Sequence, residues 1–314
     1  MTDPTPSPHP PVEEWIPSIR KLGSNVQARL SFALSQFKAG DYEKALREAD
    51  TALRMDPDDP DALLLKARIH YDRGDFDLAT PLARQATGIL KTSAKPWLLL
   101  AAIAYEQQQI ESALSCVDQA IDAEPRHAQA HLMRGTLLGA LDRWEDAARA
   151  FQNAIDHNPQ LAMAHRQLGR VHARRGQTTQ ALACLERSLL LDPNNGLIRA
   201  SLGELYRSLG RTEDAIREYR EATRLNPNLE TALLSAGDLY RELERYEEAL
   251  IEYRRAMRVR GTSARAHLGL GLIYEQRNNP REAIAEFTAA LKADPNLFAA
   301  RTALDRLQPP LPPS

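Results

Sequence analysis

Three fragments decide how the chain is read: Leu191-Asp192-Pro193-Asn194, Leu225-Asn226-Pro227-Asn228 and Ala293-Asp294-Pro295-Asn296. Pro193 and Pro227 are 34 residues apart, and the same step in both directions lands on Pro57, Lys91, Pro125, Pro159, Gly261 and Pro295. Six of these eight positions are proline, too many for chance. A fixed step of this size marks a repeat array, in which each unit buries its apolar face only against its neighbours.

Setting the proline at position 32 divides residues 26–297 into 26–59, 60–93, 94–127, 128–161, 162–195, 196–229, 230–263 and 264–297, with no insertion or deletion. Position 8 is always small: Ala33, Ala67, Ala101, Gly135, Gly169, Gly203, Gly237 and Gly271. Position 20 is always alanine: Ala45, Ala79, Ala113, Ala147, Ala181, Ala215, Ala249 and Ala283. Positions 4, 7, 8 and 11 share one stripe of a first helix, and positions 20, 24, 27 and 28 one stripe of a second, because residues three and four apart share a helical face. Where two such helices cross most closely only Ala or Gly fits, since extra methylenes in a packed interface cost about 1–3 kcal/mol. The proline cannot continue a helix and biases its predecessor away from helical angles, so each second helix stops there.

Other positions carry a resemblance. Trp97 stands at position 4, Leu168, Leu202 and Leu270 at position 7, Tyr206, Tyr240 and Tyr274 at position 11, and Phe151, Tyr219, Tyr253 and Phe287 at position 24. With the small residues at 8 and 20, these make the chain resemble the tetratricopeptide repeat family over about seven-eighths of its length. The resemblance implies an all-α fold, an α-solenoid in which eight helix-turn-helix repeats form a right-handed superhelix of roughly one turn. Residues 298–308 read as a C-terminal capping helix, with Phe298, Leu304 and Leu307 inside and Arg301, Asp305 and Arg306 outside. Arg29, Gln36, Lys66 and Arg134, at positions where apolar residues are expected, and Pro81, early in a second helix, mark weaker joints.

Forty basic residues against 42 acidic ones give a net charge of −2, so no overall field draws the chain to a phosphate backbone or an anionic membrane. The expected partner is a protein or peptide client, with no nucleic acid and no membrane insertion. Two cysteines, Cys116 and Cys184, are too few for a disulfide framework, and the start of the chain has no apolar run resembling a secretory signal. A cytoplasmic setting is expected. Residues 1–25 open with five prolines in the first twelve residues and read as disordered, apart from an amphipathic segment in which Trp15, Ile19 and Leu22 fall at i, i+4 and i+7. That segment either caps the first repeat or lies in the groove as an internal pseudo-ligand. The tail at 309–314 favours a polyproline conformation.

Catalytic chemistry is not apparent. His131, His165 and His267 share position 4 and read as packing residues, Cys116 and Cys184 share position 23, and Gly269-Leu270-Gly271 lies inside a helix instead of cradling a phosphate. No catalytic, cofactor or metal residues are assigned, no cofactor is expected, and the chain reads as a non-enzyme.

The resemblance implies that first helices line a concave groove into which positions 2, 5, 9, 12 and 13 point. Repeats one to four place Leu30, Leu34, Phe37, Leu64, Tyr71, Leu98, Tyr105 and Leu132 there. Two readings stand: a groove for an apolar or amphipathic segment, or packing between neighbouring first helices. Repeat five adds Arg166, Arg170 and Arg174, and repeat six adds Arg207. Like charges at i, i+4 and i+8 disfavour a helix, which invites an anionic client unless Glu204 and other local carboxylates already neutralise them. Asp238, Arg241, Glu242, Arg265 and Glu275 make the last repeats mixed. The expected function is a non-catalytic scaffold or adaptor that binds a client segment. The alternative is an assembly factor or regulatory subunit delivering a client to an enzyme, and the last is an enzyme with an unrecognised site.

Overall fold

The computed structural model describes residues 25–307; the expectations at Trp15, Ile19 and Leu22 and for the proline tail lie outside them. The helices come in pairs. The first are α1 (Asn25–Lys38) with α2 (Tyr42–Met55), α3 (Pro60–Asp72) with α4 (Phe76–Ile89), α5 (Lys95–Glu106) with α6 (Ile110–Ala123), and α7 (Ala128–Ala140) with α8 (Trp144–His157). Then follow α9 (Ala162–Arg174) with α10 (Thr178–Leu191), α11 (Gly196–Ser208) with α12 (Thr212–Leu225), α13 (Glu230–Glu242) with α14 (Tyr246–Val259), and α15 (Ala264–Gln276) with α16 (Pro280–Ala293). A single helix, α17 (Phe298–Leu307), ends the series, so the described residues form seventeen helices and no strand. They belong to two compact units, one ending at Val171 and the other starting at His172. Within each, second helices pack on their own first helix and on the first helix of the next pair, as α6 does on α5 and α7 and α12 on α11 and α13.

The small residues do what their size suggests. Every position-20 alanine is fully buried, and a methyl added at Gly135, Gly203 or Gly271 would run into the ring of Phe151, Tyr219 or Phe287, the position-24 aromatic of the same repeat. Gly269 and Gly237 close on the two sides of Tyr253, which explains the Gly269-Leu270-Gly271 run as packing.

Helix ends follow local rules, one of which the sequence reading did not single out. Position 15 has positive φ in all eight repeats: glycine at 40, 74, 176 and 210, but Gln108, Asp142, Glu244 and Asn278 elsewhere. The next amide reaches back five residues, Asp41 to Gln36 at 2.9 Å and Arg245 to Tyr240 at 2.8 Å, the bond that closes a helix whose capping residue is left-handed. At the other end Asp56, Asp192 and Asn226 stand extended before their prolines, with φ of −141°, −137° and −134°.

The departures from the repeat pattern find partners. Arg29 meets Glu48 at 2.8 Å, Lys66 meets Asp50 at 2.7 Å, and Arg134 meets Asp118 at 2.8 Å, so these long side chains reach neighbouring second helices instead of entering the core. Helix α4 runs through Pro81 without interruption. In α17 the expected inner face needs correction: Phe298 is 79% exposed. Ala300 and Ala303 are buried and Leu304 and Leu307 half-buried against the Phe287 cluster, and this i, i+3, i+4, i+7 stripe leaves Phe298 on nearly the opposite side.

The position-4 histidines are structural. His131 and His165 each place Nε2 on the carbonyl of the preceding position-32 proline, Pro125 at 2.9 Å and Pro159 at 3.1 Å, and His267 sits on Glu286 at 2.6 Å. His127 caps α7 by accepting the Ala130 amide on Nδ1 at 3.2 Å, which requires that nitrogen to be unprotonated. Burial holds the pKa values of both His127 and His131 below the ordinary imidazole value of 6.5. Groups depressed on folding stabilise the native state above their unfolded pKa, and that stability is lost as pH falls through the folded values. The melting temperature is therefore expected to fall on acidification below pH 6.5, and more shallowly in His127→Asn, which keeps a cap acceptor that does not titrate. Thermal melts between pH 7.5 and 5 check this; parallel curves would refute it.

Candidate functional site

The residues expected to line a groove all lie on first helices, but their exposure divides them. Leu30, Leu34 and Phe37 of α1 are buried in one cluster with Leu65 and Ile69 of α3. Leu64 and Tyr71 of α3 are buried with Leu98 of α5, Leu132 of α7 is buried as well, and Tyr105 is half-buried. These side chains therefore contribute to packing between neighbouring first helices. Tyr71 lies in tilted contact with Phe76 at 5.9 Å, and its burial raises the phenol's pKa, with Glu106 adding to the effect. Arg68 spans the Tyr71 ring, its guanidinium carbon 5.2 Å from the centroid, and donates to Asp72 at 2.8 Å.

The arginines of α9 share a side of that helix because they are spaced four apart. Arg166 is only 4% exposed and donates to the Met163 sulfur at 3.2 Å. Arg170 is half-buried and donates to Gln167 Oε1 at 3.1 Å, whereas Arg174, beyond the unit boundary, is exposed. A guanidinium this deeply set costs desolvation, so its retention needs hydrogen-bonding company.

In the unit that starts at His172, first-helix charges are matched to one another. Glu204 accepts from Ser235 at 3.2 Å, and Arg207 pairs with Glu242 at 3.6 Å. Asp238 accepts the Tyr253 hydroxyl at 2.6 Å and Arg265 Nε at 3.1 Å, with Arg265 Nη2 on the same carboxylate. Arg306 of α17 forks onto Glu275 at 2.9 and 2.7 Å. The Asp238 link to a second-helix tyrosine carries no signal in the sequence, where position 24 reads as an aromatic packing residue. Burial raises the pKa of Tyr253, and the neighbouring Asp238 charge raises it further.

Cys116 and Cys184 are free and partly buried, and burial pushes both thiols up, away from the reactive thiolate. Among the described residues no group of three His, Cys, Asp or Glu could hold a metal ion, and no helix is long and apolar enough to cross a membrane.

Stacked helical pairs with small residues at each crossing define a helical-repeat protein, a class that works by presenting a surface. Family models described as tetratricopeptide repeat match residues 30–94, 70–137, 132–196, 166–230, 200–258 and 234–297, so the chain belongs to the tetratricopeptide repeat family. No curated protein matches it. Among solved structures it is similar to a chain of the APC/C hetero-tetramer Cut9-Hcn1, with 20% identity and a TM-score of 0.67 over 94% of this chain. It spans 58% of the length of that chain. It is also similar to pilF of Pseudomonas aeruginosa, with 16% identity and a TM-score of 0.60 over 68% of this chain and 97% of that one. At such identities the likeness is one of fold. The fold is consistent with a protein-protein interaction scaffold.

Proposed function

We propose that the protein is a non-catalytic scaffold that holds an acidic client segment on the first-helix face at α9, in a cytoplasmic setting. The observation that carries this reading is the run of like charges on one helix side: Arg166 deeply set and Arg170 half-buried one turn on, at positions 5 and 9. Like charges at this spacing weaken a helix by about 0.2–0.5 kcal/mol per pair, a cost that an anionic client offsets. Guanidinium groups also hold carboxylates through paired, charge-assisted bonds. The two free thiols suit a reducing compartment.

The test compares capture of native clients by the wild-type chain and by Arg166→Glu with Arg170→Glu. Capture is expected to weaken about tenfold or more and to lose its salt dependence, since exposed charge pairs are screened beyond about 8 Å at physiological ionic strength. Arg170→Glu alone, at the more exposed position, guards against a folding defect, and circular dichroism should show unchanged helix content. Unchanged capture by the arginine variants, with loss in Tyr71→Ala with Tyr105→Ala, would replace the electrostatic reading by an apolar one.

A further inference from the structure

On the second-helix side of the unit that starts at His172, a cleft of about 670 Å³ opens between α12 and α14. Its walls are built largely of guanidinium groups. Helix α12 contributes Arg217, Arg220 and Arg224, at i, i+3 and i+7 and hence on one stripe, while Arg255 of α14 and Arg245 of the preceding turn line it as well. Ile216 and Tyr240 add buried apolar surface to the lining.

Three carboxylates also line the cleft, and each is already engaged by one of these arginines. Arg245 reaches Glu213 at 3.3 Å, Arg224 reaches Glu221 at 2.9 Å, and Arg255 lies on both oxygens of Glu252 at 3.0 and 2.8 Å. The last pairing has a reason in the repeat. A glutamate at position 23 elsewhere meets a basic residue at position 4 of its own repeat: Arg29 on Glu48, Arg199 on Glu218, His267 on Glu286. In repeat seven position 4 is Leu233, so Glu252, only 8% exposed, is covered by Arg255 of its own helix. Two arginines of the lining remain. Arg217 is bound to Asp214 at 2.5 Å, and the side chain of exposed Arg220 forms no hydrogen bond or ion pair among the described residues. Arg217 is matched by Asp214, and Arg245, Arg224 and Arg255 by the three lining carboxylates, which leaves one positive charge without an ion-pair partner, that of Arg220.

We propose that this cleft is a second binding site, separate from the first-helix face, which takes the side-chain carboxylates of an acidic peptide segment. Arg220 makes the primary contact, with Arg217 and Arg255 flanking it. A planar guanidinium meets a carboxylate edge to edge through two parallel bonds, and the apolar surface of Ile216 and Tyr240 accepts side-chain methylenes. One unmatched charge in a cleft of this size does not suit a nucleic-acid backbone, whose binding draws on many phosphates along a track.

The test uses the full chain and a fluorescein-labelled hexaglutamate peptide, followed by fluorescence anisotropy at low ionic strength. Saturable binding is expected, with Kd raised about tenfold by Arg220→Glu and to a smaller extent by Arg220→Gln. Arg281→Glu, an exposed and charge-matched change on α16, should leave Kd unchanged. Absence of saturable binding by the wild-type chain would overturn the proposal, as would equal weakening by Arg281→Glu, which would reduce the effect to net charge. Loss in Arg170→Glu with retention in Arg220→Glu would move the peptide to the other face. Equally tight, Arg220-dependent binding of a labelled hexathymidylate would overturn the assignment to peptide.

Discussion

Replacing Tyr253 with alanine is expected to lower the unfolding free energy by about 3–5 kcal/mol, the range for deleting a fully buried aromatic ring. Tyr253 has no exposed surface and belongs to the cluster that joins α12, α13, α14 and α15. Two glycines hold it: a Cβ built at Gly237 would lie 2.8 Å from the ring, and one at Gly269 would overlap it. With no side chains of their own, these glycines cannot fill the space the ring vacates, so the cavity persists unless the helices shift. Tyr253→Phe separates the contributions. It keeps the ring and removes only the hydroxyl's bond to Asp238, at a cost of about 1 kcal/mol. Urea unfolding followed by circular dichroism measures both; a loss below about 1 kcal/mol for the alanine variant would contradict the role given to the ring.

Asp238→Ala is expected to cost about 2–3 kcal/mol, although position 9 of a first helix reads in the sequence as groove surface. Its carboxylate accepts from Tyr253 and from Arg265, and removing it orphans a buried hydroxyl and a guanidinium together. Breaking a fully buried pair costs about 3–5 kcal/mol, and the lower figure here reflects Arg265, whose side chain keeps 29% of its exposure. Asp238→Asn should recover part of the loss by keeping an acceptor for the hydroxyl. Because Asp238 and Tyr253 share one bond, their losses should not add: the double variant should be less destabilised than the sum of the two singles. Strict additivity in the same unfolding experiment would mean that the two side chains do not interact.

Together these two sites show how a position on the first-helix face is divided between holding the repeats together and meeting a partner. Asp238, Arg265 and Glu275 belong to the first task, since their charges are satisfied by residues 15 to 31 positions away along the chain. Arg170 and Arg220, on different faces and different units, are assigned to the second.

The sequence by itself determined the period, the all-α class, the helix pairing and the family. These depend on local and periodic signals: a proline that ends each second helix, an alanine at every position 20, and apolar stripes at helical spacing. Each signal recurs in successive repeats, so a departure such as Arg29 or Pro81 does not erase it. Tertiary structure alone decided which polar residues are spent on packing. Arg29 finds Glu48, and Arg265 finds Asp238 and through it Tyr253, only when helices from one repeat or from successive repeats lie side by side, and one-dimensional spacing does not specify which rotamers meet. The same holds for Leu30, Leu64 and Leu98, which the pattern left open between groove and interior and which packing buried. Phe298 reads as an inner residue by its apolar character, but the helical phase of α17 turns Ala300, Ala303, Leu304 and Leu307 inward and leaves Phe298 on the other side. Arg255 covers Glu252 at the cleft because Leu233 stands where the other repeats with a glutamate at position 23 carry a basic residue, a difference that acquires meaning only once Glu252 is seen buried.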